Sequence, residues 1–243
     1  MSQLSNRIVN KLILIALVMG AFVTGLFAQE PRMVQFRTLC LEQIKDLEKV
    51  VLVTGDEPSK SQEVVLYTDI SPVIEGSFRT SEAVFCIEKA GPDGKPQRVP
   101  VGKVTLGKSA RQLFLFVPGA AGEGRLSYQI YAYDDDRNSF AMGSIRAINL
   151  APVPVRFVLS GETTPQVPPG KFAQFPHSGK VDEYHMYPVV VEFLSANGEW
   201  VKGQSVSWKA SSEKREIVLT HVDMKFKQPS VQNFSDFPPW TGP

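Results

Sequence analysis

Three histidines are among the residues of this chain best suited to metal or acid–base chemistry. His177, His185 and His221 lie far apart in the sequence and share none of the short spacings that zinc sites use. A zinc site would need them to converge in space with a carboxylate such as Asp182 or Glu183. The spacing therefore predicts structural or surface histidines, and the sequence predicts no metal and no other cofactor.

A run of three aspartates is the second candidate, formed by Asp134, Asp135 and Asp136. Carboxylates suit Ca²⁺, but the run lacks the glycine and the distal glutamate of the helix–loop–helix calcium site. Aspartates are also favoured in turns, because their side chains bond to nearby backbone groups. The pattern favours a solvated turn between strands over a cation site.

One segment matches the phosphate-binding loop literally: Gly102–Ser109 reads Gly-Lys-Val-Thr-Leu-Gly-Lys-Ser. That loop holds phosphates only where it leaves a strand and enters a helix. Here the next segment, Arg111–Val117, reads as a strand and stops at Pro118. The sequence therefore predicts a strand, a turn and a second strand, with no nucleotide bound.

No nucleophile motif of the G-x-S-x-G type occurs in the chain. The sequence accordingly predicts a protein that is not an enzyme. An envelope-polymer hydrolase is the alternative, and it would need a cleft in which His185 or His221 meets a carboxylate with a perturbed pKa.

Aromatic side chains are the remaining candidates for a binding surface. Tyr131, Tyr133 and Trp200 lie in or beside predicted strands. Exposed aromatics on a sheet can bind sugar rings or a partner protein, whereas packing in a core or at an edge is the alternative. These three residues are the predicted binding face.

Cys40 and Cys86 are the only cysteines. In an oxidising compartment, two cysteines in apolar, strand-like contexts are expected to form a disulfide, and a closed loop of roughly 45 residues would stabilise the fold by about 4 kcal/mol. Two buried free thiols are the alternative. No histidine or basic cluster adjoins either residue, so a catalytic cysteine is not expected.

The compartment is predicted from the start of the chain. Arg7 and Lys11 precede an apolar stretch from Leu12 to Ala28, which is the pattern of a secretion signal. The stretch is at the short limit for crossing a membrane. Residues 1–28 are therefore predicted to be a signal peptide, with an uncleaved membrane anchor as the alternative. The protein is expected to be exported, to the periplasm or outside the cell.

The charge balance excludes an electrostatic footprint for nucleic acid. The chain has 26 basic and 25 acidic residues, and its formal charge of +1 becomes −1 once Arg7 and Lys11 of the leader are excluded. A nucleic-acid interface would need a basic patch or stripe. Neither a nucleic acid nor a nucleotide is an expected partner.

Alternation of apolar and polar residues dominates the rest of the chain. Residues 126–133 and 153–159 alternate, and Arg111–Val117 is apolar on both faces, as in a central strand covered on two sides. Asn197-Gly198 predicts a tight hairpin between Val189–Leu194 and Trp200–Trp208. Frequent turn signals favour an all-β fold of one or two small antiparallel β-sandwich (Ig-like) domains.

The predicted organisation places a domain boundary near the aspartate run. Residues 29–136 would form one β-sandwich domain and residues 143–225 a second, followed by a Pro-rich irregular tail over residues 226–243. One continuous sandwich is the alternative. A short segment with Leu41, Ile44 and Leu47 is the one helical candidate.

The stretch from Leu113 to Pro169 carries a resemblance. It contains Leu-Phe-Leu-Phe-Val-Pro-Gly, Tyr-Gln-Ile-Tyr-Ala-Tyr-Asp-Asp-Asp and Ser-Ile-Arg-Ala-Ile-Asn-Leu-Ala-Pro-Val-Pro-Val-Arg-Phe. It resembles uncharacterised exported β-rich bacterial envelope proteins. Its latter half also resembles the periplasmic β-domains of alginate O-acetylation accessory proteins, in which an arginine-containing strand ending in Asn-Leu precedes a second strand and a Pro-Gly turn. The resemblance implies an envelope location, and it implies no reaction and no functional residue.

Together these observations predict an exported, non-enzymatic envelope protein that acts as an accessory or structural subunit. Its expected partner is an envelope protein or a polysaccharide, recognised by a sheet face or edge. The alternatives are an envelope-polymer hydrolase and a membrane-tethered scaffold. Contact with a membrane is expected only if residues 1–28 are retained.

Overall fold

The computed structural model describes residues 30–54, 61–119, 125–223 and 225–239. These residues form sixteen strands in four sheets of four strands, and no helix. The predicted all-β class is therefore confirmed. Residues 33–243 belong to one compact unit. The predicted signal segment, residues 1–28, lies outside the described residues.

The strands fall into two successive groups of eight. The strands of the first group are β1 Arg32–Cys40, β2 Lys49–Val53, β3 Ser61–Val65, β4 Ile74–Phe78, β5 Glu82–Ala90, β6 Pro96–Thr105, β7 Arg111–Pro118 and β8 Tyr128–Asp134. Those of the second group are β9 Ser144–Asn149, β10 Val155–Leu159, β11 Glu162–Thr163, β12 Phe172–Pro176, β13 Met186–Leu194, β14 Trp200–Lys209, β15 Arg215–Asp223 and β16 Gln228–Asp236.

Each group supplies two sheets. Sheet 1 has the strand order β3-β2-β5-β6, and sheet 2 has the order β4-β1-β7-β8. Sheet 3 has the order β12-β9-β15-β16, and sheet 4 has the order β11-β10-β13-β14. Most pairs are antiparallel, but β1 pairs with β7, and β9 with β15, in parallel. These two pairs join strands from distant parts of the chain at the centres of sheets 2 and 3.

Strand β7 shows why the sheets stack. Its side chains are apolar on both faces: Phe114 and Phe116 pack into a first core with residues of sheet 1, whereas Leu113 and Leu115 pack on the opposite side against sheet 3. All four side chains are fully buried. The prediction of a central strand covered on two sides is confirmed, and the hydrophobic effect that buries both faces holds sheet 2 between its neighbours.

A second core lies between sheets 3 and 4. It includes Phe157, Val191 and Trp208, with Phe175 of β12 packed against it. The interface between sheets 2 and 3 has its own apolar residues, and we call it the seam. The buried side chains of the seam are Leu39, Leu113, Leu115, Phe140, Ile148, Ile217 and Leu219.

The hairpin of β13 and β14 forms as Asn197-Gly198 predicts, but its turn differs in detail. Gly198 alone has a positive φ, of 85°, and its N–H donates to the carbonyl of Ser195 at 3.0 Å. The N–H of Ser195 in turn donates to the carbonyl of Glu199 at 2.8 Å. This is the three-residue loop in which a left-handed glycine follows a type I turn, so Asn197 does not need a positive φ.

Two segments differ from the sequence predictions. The helical candidate with Leu41, Ile44 and Leu47 forms turns instead, because three apolar residues are too few to nucleate a helix. Within the predicted irregular tail, Gln228–Asp236 is strand β16, paired along its whole length with β15. Most residues of this strand are polar, so the alternation of apolar and polar residues that marks a strand is weak. The side chain of Asp236, at its end, is buried in the seam.

The predicted disulfide is not supported, because Cys40 and Cys86 are both free and buried. Cys40 belongs to the first core, whereas Cys86 is not part of it and follows the irregularity in the pairing of β5 with β6. Burial raises the pKa of the Cys40 thiol to about 11, so it is the neutral thiol that packs there.

Among the residues that the structure describes, no helix has the length and apolar character needed to cross a membrane.

Candidate functional site

Two arginines and two aspartates pair with one another inside the seam, with their side chains buried. Arg37 of β1 donates to Asp135 at 2.6 Å and to Asp236 at 2.6 Å. Arg215 of β15 donates to Asp135 at 2.7 Å, and its guanidinium also pairs with Asp236. Their side chains are 0–4 % exposed, so each aspartate accepts from two arginines in a region that excludes water. We call these residues the four-charge cluster.

Pairing favours the charged forms of Asp236 and Arg37. Burial opposes the charge of Asp236, but hydrogen bonds and attraction from Arg37 and Arg215 outweigh it, so the pKa of Asp236 lies below its usual value. The balance is similar at Arg37, where burial opposes the charge and Asp236 and Asp135 raise the pKa above its usual value. Removing one member would leave an uncompensated charge in low dielectric.

The aspartate run is therefore not the solvated turn that the sequence predicts. Asp135 is fully buried in the four-charge cluster, because the chain leaves β8 directly over the seam. Asp136 instead accepts hydrogen bonds from the backbone of Asn138 and Ser139. Burial opposes its charge, but these bonds and one with Ser109 lower the pKa of Asp136 to about 2. No group of side chains suited to a metal ion occurs among the described residues.

Arg146 of β9 adds a third buried arginine to the seam. Its side chain is almost fully buried, the residue being 1 % exposed. Its Nη2 donates to the carbonyls of Asp134, at 2.9 Å, and Ser139, at 3.2 Å, whereas its Nε and Nη1 have no hydrogen-bond partner. Burial lowers the pKa of Arg146 to about 10. Asp134 and Asp135 lie near enough to attract its charge, but neither carboxylate is at hydrogen-bond distance of the Arg146 guanidinium.

Aromatic rings surround the Arg146 guanidinium. Its central carbon lies 4.2 Å from the ring centre of Phe140, 5.5 Å from that of Phe172 and 5.8 Å from that of Tyr133. Cation–π attraction stabilises a desolvated cation, but it does not satisfy N–H donors as an acceptor oxygen would. The arrangement leaves two nitrogens of a buried cation without an acceptor.

A pocket of about 230 Å³ opens beside Arg146, where the edges of sheets 2 and 3 meet. We call it the Arg146 pocket. It is small and partly open to solvent, and the ring of Phe172, itself 48 % exposed, forms one wall. The lining residues are Gly107, Ala132, Tyr133, Asp134, Ser139, Arg146, Phe172 and Gln174.

Strand β12 forms one border of the pocket and is the last strand of sheet 3. It pairs antiparallel with β9, placing Gln174 opposite Arg146. Just beyond the paired residues, the N–H of His177 donates to the carbonyl of Gly143 at 3.3 Å, so His177 is a hydrogen-bonded position of this ladder. Because such positions alternate, the ones that bond to β9 can be counted back along β12.

Counting by two from His177 makes Phe175 and Ala173 the residues whose backbone groups bond to β9. The backbone N–H and C=O of Phe172 and Gln174 therefore point away from β9, toward the open edge of sheet 3. The side chains alternate as well: Ala173 and Phe175 face the second core, and Phe172 and Gln174 line the Arg146 pocket. One short edge thus combines unpaired backbone groups with a pocket for a side chain.

The structure places the three predicted aromatics in different surroundings. Tyr133 lines the Arg146 pocket and makes an edge-on contact with Phe172, with ring centres 5.4 Å apart. Tyr131 packs against the apolar residues of the seam. Trp200 lies in β14 beneath Arg156, whose guanidinium carbon is 4.3 Å from its ring centre. The three residues do not share one exposed face.

The histidines also occupy separate settings. His185 lies in a turn with a positive φ of 61°, and His221 lies on β15. Neither side chain has a hydrogen bond to a carboxylate among the described residues. The side chain of His177 does have a partner, since its Nδ1 lies 2.8 Å from the hydroxyl of Tyr187.

We expect acid to destabilise the protein through His177. Burial, with Lys214 nearby, lowers the pKa of His177, and its Nε2 is buried without a partner. The unfolded chain therefore takes up a proton near pH 6.5 more readily than the folded one, so stability falls as the pH drops through about 6.5. Urea denaturation at pH 7.5 and pH 5.5 measures this fall, which should be smaller for His177→Asn. Equal falls in both proteins would contradict the assignment.

The phosphate-loop match lies in a context that differs from a nucleotide site. Gly102 and Lys103 belong to β6, and a turn over residues 107–110 leads directly into β7. No helix follows the glycines, as the sequence predicts. The N–H of Gly107 donates instead to the side chain of Gln112 at 3.0 Å.

Comparison with known proteins provides no relative from which function can be transferred. No protein-family model matches the chain, and none of the curated proteins matches it.

Sequence reasoning missed the buried arginines, although their positions carry a signal. Arg146 lies between Ile145 and Ala147, and Arg215 lies two residues before Ile217, the first apolar residue of β15. A charged residue at an inward position of an alternating strand is expected to be buried, and native proteins bury a charge only where it has hydrogen-bond or ion-pair partners. Arg37 in β1 has the same character. The residues that pair with them are too distant in sequence to be found by pattern.

Proposed function

We propose that this chain is an exported, non-enzymatic accessory subunit of a bacterial envelope that binds a partner protein along the open edge of β12. Two Ig-like β-sandwiches, formed by sheets 1 and 2 and by sheets 3 and 4, would act as a rigid support. They are mainly antiparallel, with one parallel pair each rather than the wholly antiparallel sheets that the sequence predicts. The observation that carries the proposal is the outward direction of the backbone groups of Phe172 and Gln174 at the border of the Arg146 pocket. An extended partner segment can hydrogen-bond to such an edge.

The other sheet edges are less suited to strand addition. Strand β6 contacts β8, and β14 contacts β16, so one edge of each sheet is closed against a neighbouring sheet. Of the remaining outer strands, β3 and β4 carry Glu63 and Glu75, and β11 has two residues only. Charges on an edge strand oppose pairing with another chain. Strand β12, with the sequence Phe-Ala-Gln-Phe-Pro, carries none.

The buried contacts of the seam favour a rigid arrangement of the strands that carry the β12 edge. An open edge strand binds a partner more tightly if it is already ordered, because ordering the strand on association costs free energy. The four-charge cluster ties β1, β15, β16 and the segment after β8 together in the seam. The predicted envelope location and the resemblance of residues 113–169 to exported β-rich proteins are consistent with an accessory subunit.

Polysaccharide binding is the second candidate, and the half-exposed ring of Phe172 beside Tyr133 favours it. Aromatic faces stack on sugar rings, and this contact needs no backbone pairing. The two candidates differ in what the β12 edge would contact, so a probe placed on that edge distinguishes them.

In-cell photo-crosslinking tests the proposal. A small diazirine amino acid is placed at Gln174 on the β12 edge, or at Gln62 on the β3 edge as a matched exposed control, and captured material is identified by mass spectrometry. We expect one reproducible envelope protein from position 174 and not from position 62. Capture of glycan alone, or equal capture at both positions, would overturn the proposal. Thermal unfolding of both variants verifies that the label leaves the fold intact.

A further inference from the structure

The Arg146 guanidinium lacks a partner of opposite charge at hydrogen-bond distance. Two of its nitrogens, Nε and Nη1, have no acceptor, although they are buried. The nearby aspartates of the four-charge cluster are already paired with Arg37 and Arg215. A buried cation with unused donors is costly, and an anion that supplied an acceptor oxygen would relieve that cost.

The position of the pocket relative to β12 determines which ligand atoms can reach it. In a β-ladder, residues directly opposite each other place their side chains on the same face of the sheet. Gln174 and Phe172 both direct their side chains to the Arg146 pocket. A residue that pairs with Gln174 from an added strand would therefore direct its side chain toward the same pocket.

We infer that the strand added to β12 carries a glutamate opposite Gln174, and that its carboxylate binds the Nε or Nη1 of Arg146. This inference rests on the proposed function and specifies the chemistry of the partner. An added strand lies about 5 Å from β12, and Arg146 is on β9, about the same distance beyond it, so the longer acidic side chain fits better than aspartate. Because Nε and Nη1 are buried, a lining side chain must move before the carboxylate can reach them, and we expect this to be the half-exposed Phe172 ring, 5.5 Å from the guanidinium carbon.

Asp134 opposes the incoming carboxylate and provides an internal test. It also lines the pocket, but its Oδ1 accepts from the N–H of Ser109 at 2.9 Å and it forms no salt bridge with Arg146 among the described contacts. Asp134→Asn keeps an acceptor for Ser109 and removes a negative charge. It should therefore strengthen the binding of a glutamate-containing strand and leave its glutamine analogue unchanged.

The experiment compares two pools of synthetic nonapeptides on the immobilised full-length protein. Their flanking positions are drawn from Thr, Val, Ser and Tyr, and their central residue is Glu in one pool and Gln in the other. Captured peptides are counted by mass spectrometry. We expect about tenfold more of the Glu pool than of the Gln pool, the ratio typical of one charge-assisted hydrogen bond. The change is made in the peptide, so the protein remains intact.

Two variants of one residue separate the charge from the strand pairing. Both variants lose the hydrogen bond that the Gln174 side chain donates to the carbonyl of Ser139 at 2.9 Å, and neither alters the backbone bonds between β12 and β9. They differ in the outward N–H, which Gln174→Ala retains and Gln174→Pro removes. We expect Gln174→Ala to retain the preference for Glu and Gln174→Pro to lose capture of both pools. Thermal unfolding of the two variants verifies that both are folded.

Each other outcome has a definite meaning. Equal capture of both pools, lost in Gln174→Pro, would overturn the glutamate inference while leaving the proposed function in place. A preference for Glu that is equal in Gln174→Pro and Gln174→Ala would overturn strand addition. Capture of neither pool would contradict both proposals. Binding of glucuronate oligosaccharides that is unaffected by Gln174→Pro would overturn the inference of a glutamate-containing strand and identify a glycan as the ligand.

Discussion

Asp135→Ala is expected to destabilise the protein by about 3–5 kcal/mol, because it leaves buried arginines without a partner. Asp135 accepts from Arg37 at 2.6 Å and from Arg215 at 2.7 Å, and all three side chains are buried. Its removal leaves Asp236 alone against both arginines, close to Arg146, whose side chain donates only to backbone carbonyls. The desolvation cost of the guanidinium groups would then no longer be offset by attraction.

Urea denaturation followed by far-UV circular dichroism measures the effect as a shift of the midpoint at constant slope. The matched control is Glu82→Ala, which breaks an exposed pair with Lys103 at 3.8 Å and should cost at most about 1 kcal/mol. A loss at Asp135 no larger than that at Glu82 would show that the cluster relaxes or admits water when one member is removed.

The all-β class follows from local features of the sequence. Alternation in residues 126–133, a doubly apolar run in Arg111–Val117 and the Asn197-Gly198 turn are short-range signals, and the strands form where these signals occur. Local patterns determine which residues are extended and which face is apolar. They do not determine which strands become neighbours. The parallel pairs of β1 with β7 and of β9 with β15 have no local signature.

The candidate site could not be predicted because its parts meet only in three dimensions. Arg37 and Asp236 are separated by 199 positions, yet they lie within hydrogen-bond distance. The sequence predicts Tyr133 as an aromatic of the binding face, but nothing near it in the sequence shows that Arg146 and Phe172 lie beside it. Strand β16 could not be predicted for a related reason. Its residues are mostly polar, and they form a strand through their pairing with β15.

Phe114→Ala is expected to destabilise the protein by about 3–5 kcal/mol through the cavity it leaves in the first core. The ring is fully buried. It stacks on Phe36 with ring centres 4.8 Å apart and meets the edge of Phe85 at 6.1 Å. The alanine side chain would lose these contacts and the apolar area that they bury.

The same substitution tests whether the seam makes the two groups of strands unfold together. Tryptophan occurs only at positions 200, 208 and 240. Trp200 and Trp208 lie in β14, so their fluorescence reports on the second group of strands, far along the chain from Phe114. Leu115 and Ile217 share the seam, and the four-charge cluster spans it, so separation would expose both apolar surface and unpaired charge. We therefore expect Phe114→Ala to lower the urea midpoint by the same amount in tryptophan fluorescence and in circular dichroism.

Phe157→Ala, in the second core, is the matched control, since it removes a buried ring on the side that the tryptophans report. Both substitutions should shift both probes together. A tryptophan transition that responds to Phe157→Ala and is unmoved by Phe114→Ala would show two independent domains. In that case the seam would be a contact between separately stable sandwiches, and the position of β12 beside the Arg146 pocket would depend on how they dock.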